Sequence, residues 1–414
     1  MKICYLCSDL GISIAGHKGA STYVRSLVKE WTDLGHEVVF MTPSSNSQTN
    51  IGVPIIPILS SETFDSLLTE QRKRVEENSV RGEWAKLRLI RALGHIWNNI
   101  AIENVLQETV STFQPDFIYE RYSPFGVAGG VVAKKLGIPY ALQFNAPLAW
   151  EGTKYRKQAL PEAAEALEQI ACAQAPLIIV TCQELKDMLA GTGIPASKVK
   201  IVPCGADSNL FSPDGPDFRP ELKGKFVIGF VGSLKPWHGL ENLAEAFKEL
   251  VQDPRYHLMV VGDGPMMKDL SMLSEEVPGR MTLVGAVPHK EVPKYLRAID
   301  VSVVPYPALE RFYFSPLKIL ESMAAGRAVV ASQIGQISEI IRNGETGILV
   351  PPGDVTALVK AIRKLAANDE LRGILGKNAT AEIRAKHTWR HRAEMILDFA
   401  QQAGVLATES SFSR

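Results

Sequence analysis

Three glycine-bearing segments of the sequence combine residue types that suit an anion or a sugar. The run Gly229-Phe230-Val231-Gly232-Ser233-Leu234-Lys235-Pro236-Trp237-His238-Gly239 ends an apolar stretch in glycine and then offers one fixed and one titratable cation, Lys235 and His238. Both are plausible partners for a diphosphate. In Ser315-Pro316-Leu317-Lys318-Ile319-Leu320-Glu321 the serine reads as an N-cap and the proline as the first helical residue. The N–H groups of Leu317 and Lys318 are then expected to be free for a ligand. Glu321 lies four residues beyond Leu317 on the same helix face, where a carboxylate can accept hydrogen bonds from the vicinal hydroxyls of a ribose. Gly11, Gly16 and Gly19 precede a third expected helix start, at Ala20, and glycines there let backbone N–H groups approach an anion closely. Their spacing is not G-x-G-x-x-G, which argues against a nicotinamide site.

These segments must be held by strands and helices, and the pattern supplies both. Short apolar runs alternate with helical periodicity, the signature of strand-helix-strand units and parallel sheets, so the fold class is α/β. Strands are predicted at 3–7, 37–41, 117–119, 140–144, 177–181 and 199–202 in the first half, and at 226–231, 257–261, 281–284, 301–304 and 328–331 in the second. Residues 209–224 hold Pro213, Gly215, Pro216, Pro220 and Gly224 without periodicity and read as a linker. The expectation is therefore two doubly wound domains facing each other across a cleft, 1–208 and 225–386, with ligands beyond the carboxyl ends of the strands.

Composition narrows the function classes. The 414 residues suit two or three domains at about 150 residues each. Lys plus Arg and Asp plus Glu both total 45, so the chain lacks the net positive field of a nucleic-acid binder, and no nucleic-acid partner is expected. No apolar run approaches the roughly 20 residues of a membrane span, and Asp9 comes too early for a signal peptide; the expected location is cytoplasmic. Cys4 and Cys7 form a C-x-x-C, but within a predicted strand, where a thiolate gains no helix-terminus stabilisation. Residues 60–110 form a long polar helical stretch rich in arginine and lysine, with Glu70, Glu76, Glu77 and Glu83 interspersed. It suits an anionic membrane or acceptor, although a solvated charged face is the favoured reading.

Taken together, 232–239, 261–265 and 315–331 resemble the nucleotide-sugar half of a retaining family 4 glycosyltransferase of the GT-B fold. Segments 16–21, 119–123, 145–148 and 201–207 resemble the other half. The resemblance implies a Rossmann-like C-terminal domain binding a nucleoside diphosphate sugar and an N-terminal domain presenting an acceptor, which is left open among saccharide, lipid-linked, protein and small-molecule classes. It implies that Gly19 and Ala20 approach the phosphates or acceptor and that Gly232 and Lys235 line the diphosphate. Gly285 and Val287 would meet the base through backbone groups, and Asp263 and Gly264 follow a strand at the same place. Glu321 matches the glutamate that holds the ribose. The helices from about 387 to 414 resemble the family's crossover onto the N-terminal domain.

This chain departs from the family pattern at Tyr313, where a first glutamate is usual, at Ser233 and His238, where arginine and lysine are usual, and at Asn145, near the place of a histidine. Lys235, protonated His238 and the helix start at Leu317 and Lys318 are expected to stabilise the leaving diphosphate, with Asn145 orienting the sugar. No D-x-D occurs, so no metal or other cofactor is expected beyond the sugar nucleotide as co-substrate. Two other readings remain open: a binding subunit that has lost activity, and a nucleotide-sugar epimerase or phosphorylase on the same scaffold. Peripheral membrane contact is compatible with all three.

Overall fold

The computed structural model describes residues 1–16, 19–43, 50–59, 62–78, 81–216, 222 and 224–406. His17 and Lys18 of the first glycine segment, residues 217–221 and 223 of the linker, and 407–414 of the C-terminal stretch lie outside the described residues. The chain divides into two compact units, Met1–Pro203 with Arg392–Arg414, and Cys204–His391.

The first unit is built on a seven-stranded, all-parallel sheet in the order β3-β2-β1-β4-β5-β6-β7. Its strands are β1 (Lys2–Cys7), β2 (Glu37–Thr42), β3 (Ile55–Pro57), β4 (Phe117–Arg121), β5 (Tyr140–Phe144), β6 (Leu177–Val180) and β7 (Val199–Ile201). The second unit has a six-stranded parallel sheet in the order β10-β9-β8-β11-β12-β13. Here β8 is Phe226–Val231, β9 Tyr256–Val261, β10 Met281–Gly285, β11 Val301–Val304, β12 Ala328–Ser332 and β13 Ile348–Val350. Helices cover both faces of such sheets, which is why the central strands read as unbroken apolar runs instead of alternating ones. Strand order reverses between β1 and β4 in the first unit and between β8 and β11 in the second. Diverging connections open a crevice at each reversal, beyond the strand carboxyl ends.

Two strands escape the sequence pattern, β3 and β13. Each has three residues at a sheet edge, too short to show a period. The core of the second unit packs Phe230, Leu243, Phe247, Leu258, Val303 and Ile362, all fully buried, between sheet and helices. The helices Val355–Ala366 and Asp369–Lys386 start on side-chain caps, with Asp354 accepting from the Ala357 N–H and Asn368 from the Leu371 N–H at 2.8 Å each. The last helix is Trp389–Gln402, and its residues from Arg392 onward belong to the first unit, where the Ala393 carbonyl accepts from the Trp31 indole at 3.2 Å. Among the described residues no helix is long and apolar enough to cross a membrane. Cys4 and Cys7 are buried, and burial pushes both thiols up to about 12, so neither supplies a thiolate at neutral pH.

Candidate functional site

At the β8/β11 reversal the loop after β8 lies directly on the loop after β9. The Gly232 N–H donates to the Val261 carbonyl and the Leu234 N–H to the Asp263 carbonyl, both at 2.9 Å, and the Met266 N–H returns to Leu234 at 3.1 Å. Backbone contact this close requires glycine. Gly262 has φ +140°, and a Cβ there would fall 1.9 Å from the Gly232 carbonyl oxygen; at Gly239, φ +73°, it would fall 1.8 Å from that of Pro305. Asp263 is exposed, and its Oδ1 accepts from the Gly264 N–H at 2.7 Å, so it shapes this turn.

The helix Leu317–Ala324 enters the same crevice, with two differences from the sequence reading. Pro316 is the N-cap, not the first helical residue, and Ser315 makes no capping hydrogen bond. The φ of −85° and ψ of 58° at Pro316 turn the chain one residue later than a serine cap requires, and the Ser315 carbonyl takes the Leu317 N–H at 3.0 Å. Leu317 therefore does not offer a free N–H, and the Lys318 N–H is the donor left at this helix start. The Ser315 hydroxyl is buried without a hydrogen-bond partner.

Sequence reasoning missed the Lys318 side chain. Its ammonium is buried without a hydrogen-bond partner, 4.6 Å from the centre of the Phe230 ring and 5.4 Å from that of Tyr306. A Cβ built on Gly232 would sit 3.3 Å from its Nζ. Burial pulls the lysine down to about 7, while Glu321 acts in the opposite sense. A buried cation held against a glycine turn, with aromatic faces beside it and no hydrogen-bond partner, suits an incoming anion.

His238 does the reverse of what its position promised. Burial, with Lys318 and Lys235 nearby, lowers it to about 3, so it is neutral at physiological pH and the expected protonated cation is not present. Its Nδ1 lies 2.6 Å from the Ser233 carbonyl oxygen, which only accepts; the proton therefore resides on Nδ1 and Nε2 is left as an acceptor. Lys235 is half-buried, with Nζ 5.8 Å from the Trp237 ring centre.

Glu321 is mostly buried and accepts a 2.7 Å hydrogen bond from Nε2 of His289, a residue absent from the sequence reading. The His289 ring packs on Phe211 at 5.2 Å. Because His289 lies just past Gly285 and half-buried Val287 on the loop after β10, this bond joins the carboxylate to the segment expected to meet the base. Gly285 has φ +79° and its carbonyl accepts from the Gly262 N–H at 2.8 Å. Tyr313 is 3% exposed and packs at a tilt on Phe314, ring centres 4.9 Å apart, while Phe312 meets Tyr306 edge-on at 4.8 Å. The place of the usual first glutamate is thus part of an aromatic wall.

Gly19, Ala20 and Asn145 belong to the first unit. Gly19 and Ala20 begin the helix Gly19–Asp33, and the turn before it is pinned by Arg25, which donates to the carbonyls of Ile14 and Gly16 at 2.5 and 2.7 Å. Asn145 follows β5. Its Oδ1 accepts from Gln143 at 2.9 Å, and its Nδ2 is buried without a partner.

Comparison with known proteins adds sequence relationships to this geometry. Residues 225–368 match the family model described as glycosyl transferases group 1, and residues 17–210 match that of glycosyltransferase family 4. Sulfoquinovosyl transferase SQD2 of Arabidopsis thaliana is 27% identical over 319 residues, 74% of this chain and 60% of that protein. A D-inositol 3-phosphate glycosyltransferase of Corynebacterium jeikeium is 32% identical over 255 residues, 57% of this chain and 59% of that protein. The chain thus spans about three fifths of either relative's length. Among solved structures, the sucrose-phosphate synthase of Thermosynechococcus elongatus superposes with a TM-score of 0.70 over 97% of this chain and 99% of its own, at 22% identity, a likeness of fold.

Proposed function

Because the chain belongs to the group 1, family 4 glycosyltransferases, with the two-unit GT-B fold, we propose that it transfers a sugar from a nucleoside diphosphate sugar to an acceptor hydroxyl, retaining anomeric configuration and needing no metal. The observation that carries this reading is the unpartnered Lys318 ammonium beside Gly232.

Cleavage of the anomeric bond leaves negative charge on the diphosphate, and fixed donors aimed at that charge lower the barrier because they need no reorganisation. Lys318 is such a donor, supported by its own backbone N–H and by Lys235. Glu321, oriented by His289, takes the ribose hydroxyls, and the backbone at Gly285 and Val287 takes the base. Neutral His238 contributes its Nε2 lone pair, which accepts a hydrogen bond from a sugar hydroxyl. In same-face attack the leaving phosphate oxygen takes the acceptor proton, and the sugar keeps its configuration. Asn145 then orients the sugar without acting as a base.

The test follows nucleoside diphosphate release from UDP-, GDP- and ADP-sugars with a panel of acceptors in chelator, with the product anomer read by NMR. Acceptor-dependent release and a retained anomer are expected; inversion, or activity only with added metal, would overturn those parts of the reading. Tyr313 and Ser233 favour one second reading, a binding subunit without turnover, which would bind the nucleotide sugar and release nothing.

A further inference from the structure

The crevice at the β1/β4 reversal holds a cavity of about 600 Å³ lined wholly by residues of the first unit. Its floor is the loop after β1, Asp9 to Gly11, with Pro124 and Phe125 after β4. Its roof is the charged stretch of the sequence, folded as the helices Glu62–Asn78 and Arg81–Phe113. The reading of that stretch as a merely solvated face is thus incomplete, since the two helices enclose a space as well as meeting water.

The charge inside is not balanced as it is outside. On the outer faces Arg74 pairs with Glu70 and Lys86 with Glu83. The cavity is lined by Arg72, Arg88 and Arg91 and also by the carboxylates Asp9 and Asp65; among the described residues none of these three arginines pairs with a carboxylate as Arg74 and Lys86 do. Arg72 and Arg91 are close enough that Arg72, together with burial, lowers Arg91. Arginines that outnumber the carboxylates of one cavity and lie outside ion-pair reach of them keep their N–H donors for a ligand anion, and guanidinium groups match the oxygens of a phosphate.

The remaining wall is apolar. Phe64 and Trp97 pack with ring centres 5.7 Å apart, beside Leu68 and Ile100. Trp97 and Ile100 are 49% and 51% exposed, and with exposed Leu89 and Leu93 they form one stripe of the helix Arg81–Phe113, spaced four, four and three residues. At depth, Asn98 is 5% exposed, lines the cavity, and its Oδ1 has no hydrogen-bond partner. That oxygen is an acceptor awaiting a donor such as a hydroxyl.

We propose that this cavity receives the acceptor, and that the acceptor is a phosphorylated amphiphile. Its phosphate is clamped by Arg72, Arg88 and Arg91, a hydroxyl donates to Asn98, and its hydrocarbon lies along Phe64, Trp97 and Ile100. The assignment of an acceptor role rests on the transferase reading; the ligand chemistry rests on the cavity alone.

The test is calorimetry on the full chain with dodecyl phosphate below its micellar concentration, with inorganic phosphate and dodecyl maltoside as the two half-probes. Dodecyl phosphate is expected to bind about tenfold or more tightly than either, since each half-probe lacks either the charge-assisted pairing or the buried chain. The double variant R72Q/R91Q should lose about that factor, while R74Q, on the same helix but outside the cavity, should bind normally. Both variants alter exposed side chains, and their thermal unfolding checks that they fold. Equal binding of dodecyl maltoside would overturn the clamp, equal binding of inorganic phosphate the apolar wall, and an R74Q loss matching R72Q/R91Q the location. UDP titrations of the same samples keep the readings separate: dodecyl phosphate binding without any nucleotide binding would sink the transferase reading and leave the cavity's ligand standing.

Discussion

Diphosphate binding should carry a proton with it, and the amount follows from Lys318. In the free protein this lysine is lowered to about 7 by burial, so at pH 7.5 about a quarter of it is charged. A diphosphate against Nζ restores the charged form, and binding at pH 7.5 should therefore take up about 0.8 proton; at pH 6.0, where the lysine is already charged, about 0.1. The sign extends to affinity. Above pH 7 the protein must first be protonated, so binding should weaken by about thirtyfold between pH 6.0 and pH 8.5, the fall expected of one group titrating near 7. Calorimetry of UDP binding in buffers of different ionisation enthalpy reads the proton count as a slope. Lys318→Met binds a ligand with the same ionisation, so its slope subtracts the nucleotide's contribution. The same variant should be more stable than the parent at pH 7 by a few kcal/mol, because a lysine lowered in the folded state makes the fold less stable at pH values below its unfolded value. A zero slope at pH 7.5, or an equal slope in Lys318→Met, would refute the assignment of this ammonium to the diphosphate.

Lys235→Ala should lower turnover by about a hundredfold if it is a second stabilising donor, measured as kcat with saturating nucleotide sugar. Gly262→Ala should cost several kcal/mol, because its Cβ would meet the Gly232 carbonyl at 1.9 Å from a φ of +140°; chemical denaturation reads this directly, and a loss below about 1 kcal/mol would mean that the loops separate easily. In the first unit Glu120 is buried, accepts from the Tyr140 hydroxyl at 2.5 Å, and is pushed up by burial to about 7, as is Glu168. The folded state then holds more protons than the unfolded one between about pH 4.5 and 7, so stability falls as pH rises through that window. Glu120→Gln should flatten the fall and be more stable than the parent at pH 8, by on the order of 3 kcal/mol; an unchanged pH profile of the melting temperature would contradict this.

The doubly wound fold was legible because strands buried on both faces, such as Phe226–Val231 and Val301–Val304, leave unbroken apolar runs that nothing else in the chain imitates. The close packing of the loops proposed to hold the donor was legible for a related reason: glycine at 232, 262 and 264 marks places where a Cβ would meet backbone or a neighbouring side chain. What escaped was set by distant parts of the chain. Lys318 reads as an ordinary helix lysine until β8 and β11 bring Phe230 and Tyr306 around its ammonium. His238 reads as a switchable cation until that same lysine and burial hold it neutral. His289 carries no pattern of its own and gains its role through a bond to a carboxylate 32 residues away. The arginines of 60–110 show the general difficulty: Arg72 and Arg74 look alike in sequence, and only folding shows that Arg74 pairs with Glu70 while Arg72 lines a cavity.

The central claim, that the second unit binds a nucleoside diphosphate sugar without metal, is tested most directly by calorimetric titration of the full chain with UDP-, GDP- and ADP-sugars in excess chelator. The account predicts saturable binding of one nucleotide class, unchanged by adding magnesium and weakened by about tenfold or more, but still measurable, in Lys318→Met. Folded protein that binds none of them, or binds one only when magnesium is restored, would contradict it.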